Sequence, residues 1–147
     1  MTRAKGGRVR RARGRPLPGY AALRRILRFD AQGLIPAVVQ DDRTNAVLTL
    51  CYLTDAALRR SLATGTVHVF RRSQGRLMQK GETSGHIQRI RSVAVDCEGQ
   101  SLVLRVRQRI AACHAGYVTC YFRRLGRGGR LVTSGRRVFD PARVYKT

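Results

Sequence analysis

Apolar residues recur at helical spacing from Tyr20 to Phe29, where Ala22, Leu23, Ile26 and Leu27 alternate with arginines. A short amphipathic helix that caps the core is expected there. Leu34 to Val39 and Val47 to Leu53 are apolar and β-branched, and the turn chemistry of Asp41-Asp42-Arg43-Thr44-Asn45 between them predicts an antiparallel hairpin. Thr54 then offers an N-cap, Asp55 sits in the first turn, and Ala56, Ala57, Leu58 and Leu62 make an apolar stripe ending at Gly65, which predicts a second helix. Val67 to Arg72 alternates as a strand and leads into the loop Ser73-Gln74-Gly75. His86 to Asp96 and Ser101 to Gln108 also alternate and are joined by Glu98-Gly99, a second hairpin. Tyr117 to Arg123 reads as a strand carrying Cys120, and Arg130 to Phe139 as a final hairpin around Ser134-Gly135. The expected class is α+β, a mostly antiparallel or mixed β-sheet with two short helices.

At 147 residues the chain has the length of one domain. No apolar run approaches the roughly 18 residues that span a bilayer, and no apolar stretch of signal-peptide type follows the first arginines. A soluble, cytoplasmic protein with reduced thiols is expected. The formal net charge of +22 changes this picture only at the ends. Residues 1–28 hold ten Arg or Lys and no acid, and residues 121–147 hold eight against the single acid Asp140. The division expected is a disordered basic arm over 1–19, a domain over 20–125, and a basic C-terminal extension over 126–147. The arm has too little apolar surface to offset its ordering entropy. It either lies along nucleic acid through counterion release or is a solvated tail.

The candidate chemistry lies in three cysteines: Cys97 within Asp96-Cys97-Glu98-Gly99-Gln100, and Cys113 and Cys120 within Cys113-His114-Ala115-Gly116-Tyr117-Val118-Thr119-Cys120. Thiolates are strong zinc ligands, and three rather than four leave a position open for water, as in a catalytic site. No close Cys-x-x-Cys pair supports this by spacing. Cys51, inside an apolar strand, is either a small buried hydrophobe or the fourth ligand of a structural zinc. If extended geometry persists into the acidic turn, Asp96 and Glu98 point one way and Cys97 the other. Lys80-Gly81-Glu82-Thr83-Ser84-Gly85-His86 has the composition of a phosphate-gripping loop and equally that of an ordinary surface loop.

These stretches resemble, in order and spacing, the phosphoribosyl-AMP cyclohydrolase family of histidine biosynthesis. The resemblance covers roughly Phe29 to Arg123. It rests on Gly33-Leu34-Ile35-Pro36-Ala37-Val38-Val39-Gln40-Asp41, Thr64-Gly65-Thr66-Val67-His68, Arg76-Leu77, the loop from Lys80 to Gln88, Asp96-Cys97, and Cys113-His114 with Gly116-Tyr117 and Cys120. It implies an intertwined homodimer whose zinc is bound by Cys97 of one subunit and by Cys113 and Cys120 of the other. It implies hydrolysis of the bond between N1 and C6 of the adenine ring in N1-phosphoribosyl-AMP, with a zinc-activated water as nucleophile. His114 would be the general base or a proton shuttle, or would orient Cys113 by a hydrogen bond. Lys80, Thr83 and Ser84 would hold a substrate phosphate, with Arg72 and Arg76 as further candidates.

The chain departs from the family at the acidic turn, where the family's Asp-Cys-Asp-x-Asp holds magnesium. Asp96, Glu98 and Gln100 stand there instead, and the longer carboxylate and neutral amide should weaken a magnesium site. Met78 occupies a position where the family usually has tryptophan, and Arg71-Arg72-Ser73-Gln74 replaces the usual Ser-Arg-Ser-Arg. Some family members carry a fused pyrophosphatase domain, which the present length leads us not to expect here. The alternative reading from the charged ends is a nucleic-acid-binding zinc protein on the same scaffold with activity reduced or lost.

Overall fold

The computed structural model describes residues 14–145. The first helix, α1 (Tyr20–Ile26), is followed by the strands β1 (Ile35–Asp41) and β2 (Val47–Leu53) and by α2 (Asp55–Thr64). The chain continues through β3 (His68–Arg71), β4 (Arg76–Gln79), β5 (Gln88–Val95) and β6 (Leu102–Gln108). It ends with β7 (Arg123–Leu125), β8 (Leu131–Thr133) and α3 (Pro141–Val144). This is an α+β architecture with three helices rather than two.

The main sheet has the order β2-β1-β6-β5. The β1–β2 and β5–β6 hairpins are antiparallel, as their alternation and turns require, and β1 joins them by pairing parallel to β6, Ala37 with Leu102 through Asp41 with Val106. The sheet is therefore mixed. Its period of two sends Ile35, Ala37 and Val39 of β1 and Leu102, Leu104 and Val106 of β6 to one buried face. Against that face pack Ala57, Leu58 and Leu62 of α2 together with Val67 and Val69. Burying each such Leu, Ile or Val contributes about 1.5–3 kcal/mol.

Local chemistry sets the helix ends. The Thr54 hydroxyl accepts from the Ala57 amide at 3.2 Å, and Gly65 closes α2 in the left-handed conformation at φ 69°. α1 buries no residue of its own; Leu27, just past its end, reaches the core, and Arg24 ion-pairs with Asp55 at 3.3 Å. Tyr20 and Leu23 of α1, both half-buried, pack against the core beside Leu27, so the helix covers the core with one partly exposed face.

Of the basic arm expected over 1–19, residues 1–13 lie outside the described residues. Residues 14–19 run beside α2, held by Gly14 N–H donating to Thr64 O at 2.8 Å and Leu17 N–H to Leu62 O at 2.9 Å.

The chain after β6 differs from the alternation pattern. Residues 117–122 form no strand among the described residues. Their polar groups are met otherwise: Cys120 N–H donates to Leu48 O at 2.8 Å, the Thr119 hydroxyl to Val47 O at 2.7 Å, and Val118 O accepts from Ala112 N–H at 3.0 Å. The strand begins at Arg123, and the final hairpin turns around Gly126–Gly129 rather than Ser134-Gly135, with Gly126 N–H donating to Arg130 O at 2.8 Å. Gly129 at φ 78° supplies the left-handed residue that this short turn needs. α3 arises from chemistry that the apolar pattern does not register: Asp140 caps it by accepting from Ala142 N–H at 3.0 Å, and Pro141 starts it.

Candidate active site

A cavity of about 760 Å³ opens between β2, the β3–β4 hairpin, the loop 80–86, the segment 111–120 and α3. It unites most of the residues singled out above. Lys80, Thr83, Ser84, Arg72, His114 and Cys120 all line it.

The loop 80–86 is shaped by backbone bonds. Lys80 N–H donates to Val67 O at 2.8 Å, and Gly85 N–H closes onto Gly81 O at 2.7 Å. Gly81 sits at φ 85°, and a Cβ there would lie 2.5 Å from the carbonyl oxygen of His86, so only glycine fits. Thr83 and Ser84 of this turn line the cavity with Lys80, residue types suited to an anionic group, and the Ser84 hydroxyl accepts from His86 N–H at 3.2 Å. The Lys80 ammonium also donates to Ala112 O at 3.1 Å.

The two arginine candidates part here. Arg72 lies over the Tyr52 ring at 4.1 Å, and both line the cavity. Arg76 is not among the lining residues; its guanidinium is ion-paired with Glu82 at 2.8 Å and also donates to Gln74 at 3.2 Å.

The segment after β6 brings Cys113 and Cys120 together. A turn closed by Gly116 N–H to Cys113 O at 3.1 Å reverses the chain between them, and Cys120 is held at the β2 edge. Their thiols are close enough to influence each other, and burial pushes the Cys120 thiol up while the Thr49 hydroxyl opposes this. Cys113 is buried, and His114 beside it is exposed to the cavity. Cys51 is the third thiol nearby. It is half-buried and lines the cavity, burial drives it up to about 12, and its S–H donates to Ala37 O at 3.5 Å.

Cys97 is elsewhere, exposed on the β5–β6 turn and not on the cavity wall. The expectation that Asp96 and Glu98 share a strand face opposite Cys97 does not carry through, because extended structure stops at Val95. The Asp96 carboxylate folds back over the turn, accepting from Glu98 N–H at 3.2 Å, Gln100 N–H at 2.8 Å and the Ser101 hydroxyl at 2.7 Å. These bonds, the Ser101 hydroxyl first, hold its pKa below the usual carboxylate range. Gly99 at φ 69° lets the turn pack on the chain after α1, where Arg28 N–H donates to Gly99 O at 2.8 Å.

Among the described residues, no three His, Cys, Asp or Glu side chains of one chain gather into a group able to hold a metal. The paired thiols of Cys113 and Cys120 fit a soft-ligand ion such as zinc, which needs at least one further donor from outside this group. The turn at Asp96, Glu98 and Gln100 fits magnesium less well, since Asp96 already satisfies three turn donors.

The structure adds lining residues that the pattern of the sequence does not single out, among them Tyr52, Pro141, Ala142 and Tyr145. His86, named only as part of its loop, is buried beside the cavity, and burial and Arg109 lower its pKa. Apolar and aromatic types are the default contents of any core, so nothing local marks them as site residues. No helix among the described residues is long and apolar enough to cross a membrane.

The profile of the phosphoribosyl-AMP cyclohydrolase family matches residues 49–122, which run from β2 through the cavity loop to the residues just after Cys120. A histidine biosynthesis bifunctional protein of Thermoanaerobacter pseudethanolicus is 45% identical over 120 residues, 82% of this chain and 55% of that longer protein. A phosphoribosyl-AMP cyclohydrolase of Pelotomaculum thermopropionicum is 44% identical over 119 residues, 81% of this chain and 92% of its own length. One of Methanothermobacter thermautotrophicus is 44% identical over 118 residues, covering 80% and 86%.

Proposed function

The chain belongs to the phosphoribosyl-AMP cyclohydrolase family, and from that premise we propose that it opens the adenine ring of N1-(5-phosphoribosyl)-AMP by hydrolysing the N1–C6 bond, a step of histidine biosynthesis. The observation that carries this reading is the convergence of the loop 80–86, Arg72, His114 and Cys120 on one cavity. The substrate has two phosphates and a purine. Lys80, Thr83 and Ser84 bind one phosphate, and Arg72, pinned over Tyr52, adds a fork of donors for an anionic oxygen.

Cys113 and Cys120 would hold zinc together with Cys97 of the partner subunit, so that each homodimer has two sites and neither exists in one chain alone. Zinc, when bound there, supplies Lewis acidity that makes water a nucleophile near neutral pH. His114, exposed to the cavity and adjacent to Cys113, takes the proton of the attacking water and returns one to N1 as the C6–N1 bond breaks. The water oxygen is thereby added at C6 and its second proton passes to the exocyclic nitrogen, so that C6 becomes a carboxamide and N1 leaves C6 as a neutral N–H. Magnesium at Asp96 is weaker than in relatives with three aspartates.

The test is turnover of N1-phosphoribosyl-AMP by protein of known zinc content, followed by the absorbance change of ring opening. Turnover that persists without residues 1–19 separates this reading from a nucleic-acid-binding role. No turnover by zinc-containing protein would overturn it.

A further inference from the structure

The cavity described above is closed on one side by a segment beyond the part of the chain that carries the thiols and the polar loop. Pro141, Ala142 and Tyr145 line it. Just before them, the Phe139 ring meets the His86 ring edge-on, with centroids 4.7 Å apart and planes at 72°, and Phe139 meets Tyr145 at 6.3 Å. Three rings thus run in contact from the polar loop to the C-terminal helix.

The segment is held where it is by the turn between the two thiols. Val138 N–H donates to Gly116 O at 2.7 Å, and a Cβ on Gly116 would stand 2.6 Å from Phe139 O, so the approach requires glycine. The Arg137 guanidinium adds a contact over the Tyr117 ring at 5.9 Å. Asp140 and Pro141 then start α3 in the direction that brings Tyr145 to the cavity.

We infer that residues 137–145 are part of the substrate site, with Phe139 a positioning residue for His86 and Tyr145 a residue that faces the substrate's planar base. The inference rests on the cyclohydrolase reading. The phosphates of such a substrate are met by cations, hydroxyls and amides, whereas a purine ring needs an apolar, aromatic wall, which the polar loop does not provide. The C-terminal segment adds Pro141 and the Tyr145 ring to the apolar and aromatic side chains that Tyr52, Phe70 and Met78 already bring to the cavity and, through Phe139, fixes the imidazole next to it. His86 can then hold one ring orientation as a neutral hydrogen-bonding group, in keeping with the burial and the nearby Arg109 that disfavour its charged form.

The experiment is steady-state kinetics of full-length Tyr145→Ala, Tyr145→Phe, Phe139→Ala and Phe139→Tyr, with melting temperature and zinc content measured alongside. Tyr145→Ala should raise KM by up to about tenfold with kcat little changed, and Tyr145→Phe, which keeps the ring, should restore KM. Phe139→Ala should lower kcat by roughly tenfold or more at unchanged zinc content, and Phe139→Tyr should recover it. If Phe139→Ala does not fold, Phe139→Leu, which keeps volume but not the ring, is read in its place with the same expectation. Folded variants with wild-type kcat and KM would overturn the inference while leaving the cyclohydrolase reading in place. An inactive wild type would overturn that reading and this inference with it.

Discussion

The Lys80 ammonium donates to the carbonyl oxygen of Ala112 at 3.1 Å, tying the loop that follows β4 to the residue immediately before Cys113. One side chain thereby couples the proposed phosphate site to the segment that bears the thiols. Lys80→Ala should lower kcat/KM by roughly 10–100-fold, the scale of losing a charge-assisted hydrogen bond and a substrate contact. Lys80→Arg should restore little, because a planar guanidinium cannot take the place of a compact ammonium between two partners. Steady-state kinetics of the two variants decides this, and full activity of Lys80→Arg would speak against the bridging role.

Arg72 and Arg76 are equivalent by charge and differ by environment. Arg72→Ala should raise KM by roughly tenfold through loss of a charged contact to a phosphate. Arg76→Ala should change KM by less than about twofold, since it removes an exposed ion pair with Glu82 of the kind worth well under 1 kcal/mol. Equal effects of the two substitutions in the same assay would contradict the placement.

The thiols make a prediction about assembly. Cys113→Ser, Cys120→Ser and Cys97→Ser should each abolish zinc binding, although Cys97 is exposed on a separate turn, whereas Cys51→Ala should keep it. Mixing Cys97→Ser with Cys113→Ser protein under conditions that exchange subunits should regenerate one intact zinc site per heterodimer and, with about half of the dimers heterodimeric, about a quarter of the wild-type activity. Metal analysis of the mixture reads this out, and zinc retained by Cys97→Ser alone would show that the site is built within one chain.

The acidic turn yields a pH dependence. Hydrogen bonds to the Asp96 carboxylate lower its pKa in the folded state, so the carboxylate stabilises the fold above its unfolded value near 3.8, and that stabilisation is lost as the pH falls through the lower folded value. In zinc-free protein, wild type should therefore melt above Asp96→Asn at pH 6, and the gap should close below about pH 4. Melting curves of the pair at several pH values test this. A gap that widens toward acid would reverse the assignment.

Legibility followed the range of the interactions involved. The β1–β2 and β5–β6 hairpins and α2 are written in alternation, turn residues and caps within a few positions of one another, and each appears where those signals lie. Residues 117–122 carry a strand-like pattern, yet their polar groups find partners on the β2 edge and at Ala112, so tertiary contacts override the local preference. The place of Arg72 in the cavity and of Arg76 outside it depends on Tyr52 and Glu82, which no local pattern links to them.

By itself the sequence determined the α+β class, the two main hairpins, the family, and the residue types of a thiol and phosphate chemistry, because all of these reside in local order and spacing. Only the tertiary structure decided that Cys113 and Cys120 meet while Cys97 stands apart, that Asp96 is occupied by its own turn, that Phe139 packs edge-on against His86, and that Tyr145 borders the same cavity as Lys80 and His114. Those relations join residues far apart in the chain. They come from how the sheet, the hairpins and the C-terminal segment pack, which depends on the burial and hydrogen bonding of the whole fold rather than on any one stretch.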